Sequence, residues 1–179
     1  MQKSDKVDIL VIGGGPAGST AASMAAKSGL TVKICERSKF PREHVGESLL
    51  PASIAILEEL GLKEAISNAG FLPKYGATMV WGKDETPWSW RFSETNKQNI
   101  HSYQVSRPIF DEILLKRSAE LGVLVEEESS VGKIMIDDSN RGAVVINKNG
   151  QQYFQPAKFI VDASGQSALL ARNLNLKQW

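Results

Sequence analysis

Three glycines at positions 13, 15 and 18 directly follow the apolar run Val7-Asp8-Ile9-Leu10-Val11-Ile12, and their spacing is the first in the chain to imply chemistry. In a G-x-G-x-x-G pattern Gly13 turns the chain out of a strand, Gly15 lets backbone approach a pyrophosphate, and Gly18 lets a helix pack close to a sheet. Pro16 and Ala17 lie between the last two glycines and open that helix, whose first N–H groups and positive dipole end favour phosphate. The small residues Ala17 to Ser28 carry it. Leu30-Thr31-Val32-Lys33-Ile34-Cys35 then reads as a second strand, ending on Glu36 eighteen residues after Gly18, where an acid can accept from a ribose hydroxyl. Arg37 is a candidate neighbour of adenine or phosphate. The bland alternative is a βαβ unit that holds no nucleotide.

A second set of reactive side chains follows. Residues 37–51 form a loop bracketed by Pro41 and Pro51 and crowded with both signs of charge, including Gly46-Glu47-Ser48. Lys74 sits in Phe71-Leu72-Pro73-Lys74-Tyr75-Gly76-Ala77. Desolvation by Phe71, Tyr75 and Trp81 would lower its pKa. Arg107 stands at a helix start, where the dipole disfavours a cation, and Asp162 closes a late apolar strand. Each has a plain reading too. Lys74 could be a solvated lysine, Glu47 an acid near a helix N-terminus, Arg107 a helix-start cation, and Asp162 an ordinary turn residue. His44 and His101 have no metal-ligand partners in sequence and read as structural or surface groups; no metal site is expected.

These groups need elements to hold them. Amphipathic helices are predicted over Ala52–Leu60, closed by Gly61, and over Lys63–Asn68. Ala77–Trp81 and Pro87–Phe92 read as strands around a turn at residues 82–86, and Ser102–Val105 as another. Pro108 at a first turn opens a helix to Leu121, stopped by Gly122. Val123–Glu127 should be a strand parallel to the first two. Ser130–Asp137, Gly142–Asn147 and Gln151–Gln155 read as a meander, with turns at Asp138-Ser139-Asn140-Arg141 and Lys148-Asn149-Gly150. Lys158–Gly165 reads as a separate last strand, followed by a helical tail.

Of 179 residues, 42% are hydrophobic and 23% charged, with 21 basic against 20 acidic side chains. Such a chain builds a globular core, and its near-neutral charge argues against nucleic acid or an anionic membrane as partner. Cys35 is the single cysteine, so no disulfide forms within the chain. Neither a signal-peptide core nor a membrane-length apolar run is present, and a cytoplasmic location is expected.

The order of elements, with Asp162-Ala163-Ser164-Gly165 near the end, resembles the FAD-binding fold of the glutathione-reductase and hydroxybenzoate-hydroxylase type. The fold class expected is α/β: a Rossmann-like βαβ FAD-binding domain with a three-stranded β-meander and an inserted antiparallel layer. Within it, Phe40-Pro41-Arg42-Glu43-His44-Val45-Gly46-Glu47-Ser48-Leu49-Leu50-Pro51 resembles the flavin-dependent halogenases, above all those acting on phenols or carrier-bound pyrroles. Phe71–Ala77, Val105–Asp111 and Val161–Gln166 extend the likeness, which runs from Val7 to about Arg172. Trp88-Ser89-Trp90 is followed by Arg91-Phe92, unlike the W-x-W-x-I-P motif of tryptophan halogenases, so these tryptophans read as packing.

The resemblance implies reduced FAD, dioxygen and chloride or bromide as reactants, hypohalous acid as product, and Lys74 as the residue that relays the halogen to an electron-rich aromatic. It implies a separate flavin reductase, and a small aromatic substrate that is free or tethered to a carrier protein. Gly13, Gly15, Pro16, Ala17, Gly18, Glu36, Arg37 and Asp162 would serve the nucleotide, Arg107 the phosphate side, and Gly46, Glu47 and Ser48 the flavin ring. Residues 1–70 and 102–179 would form the FAD-binding domain and 71–101 the start of a substrate-side layer. The chain ends where the family continues, so it corresponds to the family's N-terminal part. An aromatic monooxygenase, a geranylgeranyl-reductase-like oxidoreductase and a non-catalytic FAD-domain remnant share this framework.

Overall fold

The computed structural model describes residues 2–83, 85–136 and 141–176. In chain order the elements are β1 (Gln2–Lys3), β2 (Val7–Ile12), α1 (Pro16–Lys27), β3 (Val32–Cys35), α2 (Ala52–Glu59), α3 (Lys63–Asn68), β4 (Leu72–Lys74), β5 (Gly76–Val80) and β6 (Pro87–Arg91). They continue with α4 (Phe92–Thr95), β7 (Ser102–Gln104), α5 (Arg107–Glu120), β8 (Leu124–Glu126), β9 (Ser130–Ile136), β10 (Arg141–Ile146), β11 (Gln152–Asp162) and, after a 3-10 turn at Gly165–Ser167, α6 (Leu169–Asn173). The chain divides into two compact units, Met1–Arg42 with Asp111–Trp179, and Glu43–Phe110.

The first unit is built on one sheet of order β8-β3-β2-β11-β10-β9, with β1 beside β11. Strands β8, β3, β2 and the second half of β11 are parallel, while β9, β10 and the first half of β11 form the antiparallel meander. Its central strands are apolar on both faces, as a doubly covered parallel sheet requires. On one face Val11, Val32 and Ile34 pack with Ala22 of α1 and Leu115 of α5. On the other, Leu10, Ile12 and Cys35 pack with Ile134, Ala143 and Val145 of the meander. Leu10, Val11 and Ile34 are fully buried, each contributing roughly 1.5–3 kcal/mol by area. Small residues let the helices approach: Ser23 of α1 hydrogen-bonds Ser118 of α5 at 3.0 Å, and Ser118 donates to the Ser19 carbonyl. Burial pushes the Cys35 thiol up to about 12, which makes it an inert core residue.

One sequence expectation needs correcting here. Gln151–Gln155 and Lys158–Gly165 were expected as two strands; the structure has one, β11, running through Pro156. Proline usually breaks a ladder. Here it lies where the strand passes from its antiparallel pairing, Gly142 opposite Pro156, to its parallel pairing, Ala157 opposite Val7. The missing N–H falls at the changeover between partners. The expected turn at residues 138–140 lies outside the described residues.

The second unit contains α2, α3, α4 and two small sheets, β4 paired with β7 and β5 paired with β6. Ile54, Leu57, Leu60, Leu62, Ile66, Phe71 and Phe92 are buried within it. Phe71 meets Phe110 edge-on, with ring centroids 6.2 Å apart. Strand β4 and helix α4 carry too few residues for periodicity to announce them.

Candidate functional site

In the first unit the carboxyl ends of the strands come level. Ile12 stands opposite both Cys35 and Asp162, so the glycine turn, Glu36 and Asp162 share one edge of the sheet. Strand β2 is flanked there by β3 on one side and β11 on the other. In open α/β sheets this is the switch point at which ligands bind.

The glycines are required by space. Gly13 has φ +101°, and a Cβ there would lie 2.6 Å from the Ala163 carbonyl oxygen. A Cβ on Gly18 would fall 1.9 Å from the Gly13 carbonyl oxygen. Gly15 caps α1 with no side-chain hydrogen bond, Pro16 takes the first helical position, and no acid occupies the first turn. The positive end of the α1 dipole is therefore left uncompensated by its own side chains. Glu36 is buried, and its carboxylate accepts from the Gly14 N–H at 2.7 Å and the Ser38 N–H at 2.8 Å. Arg37 is exposed.

Asp162 accepts from the Ser164 N–H at 3.0 Å and the Leu170 N–H at 2.8 Å. Burial raises its pKa, but the Ser164 hydroxyl and these two backbone N–H groups outweigh burial and hold the carboxyl below its usual value. It ties β11 to the start of α6.

Arg42 is the residue that the sequence reading passed over. Its Nη2 lies 3.3 Å from where a Gly15 Cβ would be, so the guanidinium borders the glycine loop. Its Nε lies 3.9 Å from Glu36, and its buried Nη1 forms an ion pair with Asp111 at 3.5 Å but no hydrogen bond. Arginine in a charged loop gives no periodic signal. What marks it is a guanidinium with a buried N–H that makes no hydrogen bond, lying beside Gly15 at the start of α1. A helix N-terminus, a bare glycine cradle and an unsatisfied guanidinium together fit the diphosphate of a dinucleotide.

The second unit holds the other predicted residues. Lys74 ends β4 opposite Ser102 of β7. The 46–49 loop runs along the other side of β7: Val105 N–H donates to the Glu47 carbonyl at 2.8 Å, Leu49 N–H to the Tyr103 carbonyl at 3.0 Å, and Ser48 bridges Gln104. Lys74 Nζ donates to the Ser48 hydroxyl and lies 5.3 Å from the centre of the Phe92 ring. Desolvation lowers its pKa.

Lys74's lowered pKa matches the expectation, but its surroundings differ. Tyr75 is 59% and Trp81 86% exposed, and Phe71 packs on Phe110, whereas Phe92 supplies the aromatic face. The Tyr75 ring lies against His101 instead, with ring centroids 6.0 Å apart. Arg107 is buried and donates to the carbonyls of Val45 at 2.7 Å and Gly46 at 3.3 Å, so it clamps the loop. Gly46 has φ +105°, and a Cβ there would lie 3.1 Å from Arg107 Nη1. Gln104 donates to the Glu47 carboxylate at 3.4 Å. His44 hydrogen-bonds the Val45 carbonyl, and His101 packs edge-on to Tyr103. Among the described residues no group of three or more His, Cys, Asp or Glu side chains could hold a metal ion, and no helix is long and apolar enough to cross a membrane.

Residues 8–101, which carry the glycine turn, Glu36, the 46–48 loop and Lys74, match the family model for tryptophan halogenase. The chain belongs to that family. It is 37% identical over 173 residues to a tryptophan 2-halogenase of Chondromyces crocatus, covering 96% of this chain and 32% of the relative. It is 36% identical to a 1H-pyrrole-2-carbonyl-(peptidyl-carrier protein) chlorinase of Pseudomonas fluorescens, covering 96% and 42%. Among solved structures, the myxobacterial chondrochloren halogenase, described as a variant of FAD-dependent halogenases, superimposes with a TM-score of 0.86 at 41% identity, over 92% of this chain and 38% of that one. The chain thus spans about a third to two-fifths of the length of these halogenases. The expected α/β flavoprotein fold is the fold observed.

Proposed function

We propose that this chain supplies the nucleotide-binding edge and the halogen-relaying lysine of a flavin-dependent halogenase acting on an electron-rich aromatic substrate. Reduced FAD, when bound, would supply two electrons and two protons that, with dioxygen and one further proton, convert halide to hypohalous acid and water. Gly13, Gly15, Pro16, Ala17 and Gly18 cradle the diphosphate, with the α1 N–H groups and Arg42 as donors. Glu36 retains lone pairs for a ribose hydroxyl beyond the two N–H groups it already accepts. Asp162 fixes the end of β11 behind the glycine turn, and Arg37 lies on the adenine side. Arg107 holds the Val45 and Gly46 carbonyls so that Gly46 and Glu47 present backbone to the flavin ring.

Lys74 acts on the hypohalous acid. An ammonium donates a hydrogen bond that polarises the halogen toward the aromatic carbon; a neutral amine takes the halogen onto nitrogen and releases water. A lowered pKa brings both forms within reach. The observation that carries this reading is the hydrogen bond from Lys74 to Ser48, which joins the lysine to the loop bearing the halogenase-like motif. The pyrrole chlorinase makes a carrier-bound aromatic a substrate class to test beside free phenols and indoles, and a separate flavin reductase completes the cycle.

The test is an assay of the whole gene product with FAD, a flavin reductase, NADH and bromide against phenols, indoles and carrier-bound pyrrole, read by mass spectrometry. A bromine isotope doublet is expected, lost in Lys74→Ala while flavin binding persists. Hydroxylated product, or bromination unchanged in Lys74→Ala, overturns the reading.

A further inference from the structure

We infer that Ser48 is the positioning residue for Lys74: its hydroxyl accepts from the ammonium and fixes where it points. The inference rests on the reading of Lys74 given above and adds a partner to it. Sequence motifs group Ser48 with Gly46 and Glu47 as a ring-facing loop. Register tells a different story for its side chain.

Residues directly opposite in a ladder point to the same face, as do residues two apart along one strand. Lys74 is opposite Ser102, Ser48 is opposite Gln104, and Ser102 and Gln104 are two apart on β7. All four therefore face one way. The Lys74 side chain crosses β7 diagonally to reach Ser48 Oγ, the acceptor named for its ammonium. A slip of one residue in either pairing would turn one partner to the opposite face. Three features hold the register: the two backbone hydrogen bonds from Leu49 and Val105, and the Arg107 clamp on Val45 and Gly46.

The chemistry follows from counting donors. An ammonium has three N–H groups. One goes to Ser48, and the Phe92 face stabilises the charge without consuming a donor, leaving two for an incoming oxidised halogen species. Burial disfavours the charged form and lowers the pKa; a hydroxyl accepting from that form opposes the shift. Ser48 thus sets both where Lys74 points and what fraction of it is neutral at a given pH.

Competitive acylation measures this directly on the whole gene product. A trace amine-reactive anhydride is applied across a pH series, and the Lys74 peptide is quantified by mass spectrometry relative to Lys116, which pairs with Glu112 far along the sequence. Loss of the hydroxyl in Ser48→Ala should lower the Lys74 midpoint and raise its labelling at neutral pH about threefold, the effect of roughly half a pKa unit. Ser48→Thr keeps the hydroxyl and should restore the original profile. Labelling unchanged in Ser48→Ala, or raised equally in Ser48→Thr, overturns the inference. Neither result touches the halogenase reading, which stands or falls on product formation by Lys74→Ala.

Discussion

The sheet edge of the first unit and the Lys74 strand of the second are built on opposite plans. At the edge, the working groups are backbone N–H groups, bare glycines and carboxylates that already hold their hydrogen bonds: Glu36 accepts two and Asp162 accepts two. At Lys74 the working group is one side chain, held by a hydroxyl and an aromatic face, with donors to spare. Binding a large cofactor favours groups whose positions are fixed in advance, because ordering them later would cost affinity. Relaying a reactive atom favours a group with unspent hydrogen-bonding capacity. Substitution should therefore damage the two regions in different currencies, stability and flavin affinity at the edge, chemistry at the lysine.

The largest effect is expected for Gly18→Ala. Its Cβ would collide with the Gly13 carbonyl, so α1 must move; denaturant melts should show a loss of about 3 kcal/mol, and flavin titration should show little binding. Lys74→Ala, by contrast, should stay within about 0.5 kcal/mol of the parent. Equal losses in the two variants would erase the distinction between the regions. Next comes Glu36→Gln. One of its two acceptor oxygens becomes an NH2 facing a backbone N–H, which should cost about 2 kcal/mol and weaken FAD at least tenfold by fluorescence titration.

Acid should act on the edge as well. The Asp162 carboxyl is held below the usual carboxylate range. A depressed carboxylate contributes stability that is present above the unfolded value and lost as pH falls through the folded one. Melts below about pH 4 should show the parent losing stability more steeply than Asp162→Asn; parallel curves would remove Asp162 from the account. The smallest effects sharpen the lysine side. Phe92→Leu should lower the Lys74 pKa by a few tenths, as loss of a cation–π contact worth about 0.5 kcal/mol implies, while Trp81→Ala should leave it unchanged. A shift with Trp81→Ala would restore the neighbours expected from sequence.

How far the sequence could be read follows the range of the interactions. The βαβ start, the helices at Ala52 and Lys63, and the meander are local patterns, with glycines at their stops, and the structure keeps them. The two strands expected at Gln151–Gln155 and Lys158–Gly165 leave Pro156 between them, and only the change of partner along β11 lets one strand run through a residue that lacks an N–H. Arg42 and Phe92 were missed for a shared reason: each matters through what lies beside it in space, a bare glycine for one and an ammonium for the other. The Ser48 contact needed register, which two short strands and a loop do not reveal by alternation.

The doubly paired β11 also bears on how the chain is made. Strand β2, residues 7–12, finds its partner on that side only at residues 157–162. Pairings of such long sequence separation form slowly. On a ribosome, residues 43–110 are complete while that flank of β2 still waits, and an unpaired apolar strand edge is a site for wrong association. Synthesis itself thus sets a time gap between the two halves of the nucleotide edge.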